Sequence, residues 1–254
     1  MCRWRSAWLK RDGDLLLAES DSHGEILEIY GIEDRNGRLA DLMVPVEFCP
    51  PNDGKFYDVA DYVFSFHETP RPDWATDEMI AYATERLRDI VDRAIVREDR
   101  QILCGGRWIV APGVTVKRVT AGTVVIENYG TVAANYGTVA RNCSGGTVAR
   151  NYSSGTVTEN RSGGTVAENY GAVARNYGAV TANYCIVAAN CSGGAVARNY
   201  SGGTVAENYG TVDRNFGTVA ENDGTVTENR SGGTVTANYG TVADATKPNG
   251  ESRN

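Results

Sequence analysis

Histidine is nearly missing from this chain of 254 residues, with only His23 and His67 present. Methionine occurs three times and phenylalanine five times, and aromatic residues of all kinds make up 9%. No apolar run approaches the roughly 18 residues of a membrane-spanning helix. The opening stretch, MCRWRSAWLKRDGD, carries a charge every few positions and lacks the apolar centre of a secretory leader. The expectation is a cytoplasmic protein with no membrane partner. The six cysteines, Cys2, Cys49, Cys104, Cys143, Cys185 and Cys191, form no C-x-x-C pair and fit no zinc spacing. They read as free thiols, with Cys143 and Cys191 as exposed substitutions in a repeat.

Positive charge is also scarce. The net charge is −7. Residues 1–120 hold 22 acidic and 16 basic side chains, and residues 121–254 hold 10 and 9, so the two parts carry −6 and −1. The second part has neither the basic stripe of a nucleic-acid groove nor the dense acid of a DNA mimic. The apolar content of the whole chain, 41%, is low, yet valine recurs too regularly for a disordered chain.

Catalytic signatures are absent as well. There is no H-E-x-x-H, no G-x-S-x-G and no phosphate loop, and CGGRW at 104–108 lacks the lysine and hydroxyl of one. His23 falls at a helix start and His67 near a strand end, far apart in sequence, and both read as surface or capping residues. The expectation is a protein that is not an enzyme and uses no metal or cofactor.

What the chain does have is one short phrase, G-T-V-x-x-N-Y, repeated from about residue 121 to 245. Valine holds its place sixteen times between Val125 and Val242, and asparagine follows three residues later in fifteen of them. Units are seven residues long, or nine where SG or SS is added before the glycine. A coiled coil needs two apolar positions in seven, and glycine with β-branched threonine disfavours helix. A short strand and a tight turn per unit fit instead, with glycine supplying a turn conformation.

A strand this short is stable only when stacked on copies of itself. Stacking puts Val132, Val139, Val148, Val157 and Val166 in an axial column. Asn135, Asn142, Asn151, Asn160 and Asn169 then form a side-chain amide ladder that satisfies their buried groups. The residue two after valine is often charged. Pairing every second unit sets Glu127, Arg141, Glu159 and Arg175 in one line of alternating sign, which favours two units per coil. The expected fold is mainly β: a parallel β-solenoid with two units, 14 to 18 residues, per coil, preceded by a small α+β cap. The domain expectation is 1–105 for the cap, 106–245 for the repeats and 246–254 for a tail, where Lys247 and Pro248 would stop further stacking.

In the first segment, Asp12-Gly13 reads as a hairpin turn and SDSHGEILEIYGI as a capped helix ending at Gly31. LADLMVPVEFCPP and DVADYVFSFHET read as strands, separated by the loop PPNDGK. A helix is expected over ATDEMIAYATERLRDIVDRAIV, with Met79, Ile80, Ala83, Leu87, Ile90, Val91 and Ile95 on one face.

Three units read Thr-Val-Thr: Thr156 with Thr158, Thr225 with Thr227, and Thr234 with Thr236. The repeat resembles, in architecture, the seven-residue β-rolls of grass ice-recrystallisation inhibitors and the heads of trimeric adhesins, although the place of glycine differs from both. The whole chain is similar to uncharacterised bacterial or phage proteins with a small N-terminal domain and very short repeats. The functional expectation is a scaffold presenting a regular surface to a protein or glycan partner, with Tyr170, Tyr177, Tyr200 and Tyr209 on an outward stripe and homo-oligomer formation open. Two alternatives stand beside it: ice or ordered-water binding through the threonine columns, and an enzyme or effector activity in the first domain.

Overall fold

The structure is a computed structural model and describes residues 5–19, 22–33, 38–51 and 55–244. Cys2, the centre of the PPNDGK loop, Ala245 and the tail with Lys247 and Pro248 lie outside the described residues. The chain divides into two compact units, 1–95 and 96–254.

The first unit is built on a four-stranded antiparallel sheet of order β2-β1-β3-β4. Its strands are β1 (Ser6–Lys10), β2 (Leu15–Leu16), β3 (Met43–Cys49) and β4 (Val63–Phe66). The β1–β2 hairpin turns at Gly13, whose φ of 88° is open to glycine without strain. Helix α1 (His23–Ile29) starts at Ser22, whose side chain accepts from the Glu25 N–H. It drops Ile26 onto Trp8, Leu16 and Met43 to make a small core. LADL is not strand but a four-residue helix, α2 (Leu39–Leu42), which has no buried side chain and turns directly into β3. Helix α3 (Asp77–Ala94) is capped by Thr76 and buries Ala83, Leu87 and Val91 along the expected face.

The second unit is a parallel β-solenoid with two units per coil. Its strands fall into two sheets of ten and nine members, and from Arg107 onward every second strand in the chain is a parallel neighbour. The register is that of the repeat: Val139 lies between Val125 and Val157, and Arg141 between Glu127 and Glu159. Residues before the repeats already pair with it, since Arg100 bridges Val116 and Leu103 bridges Val119. Each valine from Val125 to Val226 is fully buried, which stabilises by roughly 1.5 kcal/mol or more per side chain. A flat strand would also turn the fourth residue of each unit inward. Instead the second and fifth are buried in most units, because the chain bends after the valine. That bend sends asparagine to the interior and leaves the fourth residue nearer the surface in most units, the buried Glu127 being an exception.

Glycine does two jobs, only one of which was expected. In the S-G-G joints the first glycine has positive φ, as at Gly163 (78°) and Gly193 (83°). The glycine just before each strand does not. There the constraint is space: a Cβ at Gly171 would stand 2.3 Å from the carbonyl oxygens of Gly155 and Tyr152. Glycine is favoured there because the coil beneath presses its backbone against it, although Cys185 takes the same place once, before the strand Ile186–Asn190.

Candidate interaction surface

The interior of the solenoid is chemically closed. In one column Asn128, Asn142, Asn160, Asn176, Asn190, Asn208 and Asn222 each donate Nδ2 to the next Oδ1 at 2.6–2.8 Å, the last acceptor being Asn238. In the other, Asn135, Asn151, Asn169, Asn183, Asn199 and Asn215 do the same at 2.8–2.9 Å, ending on Asn229 as acceptor. Most Nδ2 groups also reach a strand-start carbonyl, as Asn160 does to Ala179 O at 3.1 Å. The first column starts abruptly: the rung beneath Asn128 is Val110, and the Asn128 Oδ1 has no donor among the described residues.

The threonines are not gathered into one grid. Thr156 and Thr158 share a sheet with Thr234 and Thr236, but four strands separate them, and Thr225 and Thr227 lie in the other sheet. In the first sheet the threonine column is interrupted by Ala172 and Ile186, and in the second by Ala179 and Ala195. Glutamate and arginine run alongside both.

The tyrosines separate by edge. Residues following the second sheet are Tyr136, Tyr152, Tyr170, Tyr184, Tyr200 and Phe216, one per coil. Tyr136 stacks on Tyr152 with ring centroids 4.3 Å apart. Tyr170, Tyr184 and Tyr200 stack at 4.7 and 4.5 Å, and Phe216 follows at 6.2 Å. These rings spend their faces on each other and present edges and hydroxyls outward. Sorting the position after asparagine by alternate units would have revealed this column; pooling all units hid it. Tyr184→Ala removes two stacked contacts and should cost about 1–2 kcal/mol. Tyr239→Ala, at a ring 77% exposed, should stay within about 0.5 kcal/mol. Urea unfolding of the two variants measures the difference.

The opposite edge is mixed: Tyr129, Cys143, Arg161, Tyr177, Cys191, Tyr209, Asp223 and Tyr239. Cys143 is not exposed. It is buried, and its thiol donates to Glu127 at 2.6 Å. Burial, and then the charge of Glu127, push that thiol well above the ordinary range. The Arg141 guanidinium holds the other oxygen of the buried Glu127 carboxylate. Beside them, Tyr129, Ser144, Glu159, Arg161 and Tyr177 line an open cleft of about 670 Å³. It joins aromatic walls to hydroxyls and to the paired charges of Glu159 with Arg161 and Arg175.

Further along, the two edges differ in sign. Arg198 donates to the Tyr200 hydroxyl at 3.3 Å, and that bond, with the charge of Arg198, lowers the Tyr200 phenol below its ordinary range. On the other edge the charge of Glu207 is the largest cause raising the Tyr209 phenol, with Asp223 and Glu221 adding to it.

In the first unit, the structure unites what the sequence kept apart. His23 is buried, not a surface residue, and its ring stacks on His67 at 4.8 Å. His67 Nδ1 lies 3.2 Å from Glu47, the third member that sequence spacing did not show. His23, Glu47 and His67 offer ligand atoms within 4.8 Å of one another, so they are the residues that could hold a metal ion. Doing so through His23 Nε2 would cost its bond to Val46 O at 3.1 Å. The pairing is made by fold alone: β3 runs against β4, setting Val46 opposite Phe66, and α1 carries His23 to the same place.

Burial is the largest cause lowering the His23 pKa below its ordinary 6.5. The unfolded chain therefore takes up a proton near pH 6.5 while the folded chain does not. Stability of this unit is unaffected well above that pH and falls as pH drops through it. His23→Gln should flatten the fall between pH 7 and 6. Thermal melting of both proteins across that range checks it, and an unchanged slope would exclude His23 as the source.

Among the described residues no helix is long and apolar enough to cross a membrane. No family model, curated protein or solved structure matches this chain.

Proposed function

We propose that the chain is a non-enzymatic interaction scaffold that presents the outer columns of its solenoid to a protein or glycan partner. One observation carries this reading. The interior polar groups are consumed by two asparagine ladders, while the outward positions repeat tyrosine, threonine and charge once per coil. Binding capacity is thus all on the outside, in register with the coil. The open cleft between Tyr129 and Tyr177 is a candidate place on that surface, because it sets aromatic rings, hydroxyls and an arginine side by side, the combination that orients polar ligands on an apolar wall. Binding of the whole protein to arrayed glycans and to candidate protein partners tests the reading. Arg161→Ala with Tyr177→Ala should weaken the retained partner at least about tenfold. Retention unchanged by this pair and by Tyr170→Ala with Tyr209→Ala would count against it.

The ordered-water reading has less support, because the threonine columns are interrupted and flanked by charge. Activity in the first unit keeps one supporting observation, the His23–Glu47–His67 cluster. Its rings are turned toward backbone and carboxylate partners rather than toward an open site.

A further inference from the structure

Near the start of the solenoid the charges alternate: the buried Glu127, then Arg141, Glu159 and Arg175, are successive neighbours in register. Later the alternation stops. Arg198 stands directly beside Arg214, and Glu207 directly beside Glu221. Like charges opposed across a strand pair are unfavourable. Here two such pairs occur at one level, one on each sheet, with opposite signs. Consecutive corners of a two-unit coil lie on opposite edges, so the two pairs face away from each other.

Neither pair is balanced locally. Arg198 bonds a phenol rather than a carboxylate, and Arg214 has no carboxylate partner among the described residues. The next rung, Glu228, is held by Arg230. Counting Arg198, Arg214 and Arg230 against Asp213 and Glu228, this edge carries three positive and two negative charges, a net of +1. The other edge gathers Glu207, Glu221 and Asp223 around Tyr209. Its adjoining rungs are Ala189 and Ala237, so the three acidic groups leave it at −3.

We propose that a second copy of this chain supplies the countercharge, the Arg198–Arg214 pair of one copy meeting the Glu207–Glu221 pair of the next. Both pairs are separated by one step of a parallel sheet, about 4.8 Å. Two solenoids side by side with parallel axes therefore bring both arginines to both glutamates at once, and a slip of one step leaves one of each unmatched. The rings of Tyr200 and Phe216 beside the arginines and of Tyr209 beside the glutamates give the contact apolar area. Because the patches lie on opposite edges, each copy keeps one free patch after pairing. The contact is heterologous and extends into a row rather than closing as a dimer. A foreign acidic partner would explain the arginines but not the matched glutamates.

Sedimentation of the full chain tests this. The wild type should associate increasingly with concentration at low salt and dissociate near about 1 M salt, where screening reaches about 3 Å. R198E/R214E makes both edges acidic, and E207R/E221R makes both basic. Each variant alone should associate about a hundredfold more weakly, and an equal mixture of the two should associate again. Circular dichroism confirms that both fold, as substitutions at outward positions should allow. A wild type that stays monomeric at low salt, association that survives both reversals, or a mixture that fails to recover would each overturn the proposal.

Discussion

Replacing Asn160 by alanine, in the middle of the first ladder, should destabilise the solenoid by about 3 kcal/mol. Asn160 accepts from Asn142 Nδ2 at 2.8 Å and donates to Asn176 Oδ1 at 2.8 Å and to Ala179 O at 3.1 Å. Alanine leaves two acceptors without that donor in a site closed to water, and each such loss costs about 1–3 kcal/mol. The Asn142 amide loses less, since it still reaches Gly146 O and Thr165 O. The cost should also be felt by neighbouring coils, because stability in a stacked array is shared between adjacent repeats. Asn229→Ala is the internal control. That residue is only half-buried, and its Nδ2 bonds Gly233 O within its own coil, so the loss should be about 1 kcal/mol. Urea unfolding followed by circular dichroism gives both values. Equal losses at the two positions would mean that the amides are not acting as a ladder.

Gly171→Ala should be as damaging, at about 3 kcal/mol. The added methyl would lie 2.3 Å from two carbonyl oxygens of the coil beneath, so the two backbones would have to move apart. Gly193→Ala is the informative partner. Its φ is 83° and nothing lies near the position of a Cβ, so only the left-handed conformation is strained, at about 1–2 kcal/mol. Both substitutions reduce the freedom of the unfolded chain equally. Their difference therefore isolates the contact between coils, and a ranking in the opposite order would contradict the two roles assigned to glycine here.

The architecture of the repeats was legible because three signals repeat together. Valine marked the core column, asparagine marked the ladder, and the charges at Glu127, Arg141, Glu159 and Arg175 favoured two units per coil, the register found. The division of tyrosine between edges was present in the same letters but needed that register to be applied to the residue after asparagine. The glycine before each strand was misread for a physical reason: a turn conformation and a forbidden Cβ both select glycine, and only coordinates separate them. The LADL helix was missed because four residues with two leucines have no period to read. The cluster of His23, Glu47 and His67 had no sequence signal at all. It arises where a helix start, a strand and the end of the next strand converge, at separations of 24 and 20 residues that match no ligand spacing.

The most direct measurement is hydrogen exchange at the asparagine side-chain amides, followed by NMR across both columns. If the amides form the continuous buried ladder described here, the Nδ2 protons of Asn142, Asn160, Asn176 and Asn190 exchange only as the solenoid opens globally, and those of the half-buried Asn229 and the exposed Asn238 exchange far faster. Uniformly fast exchange at all of them would show that the amides face water and that something other than the ladder holds the coils together.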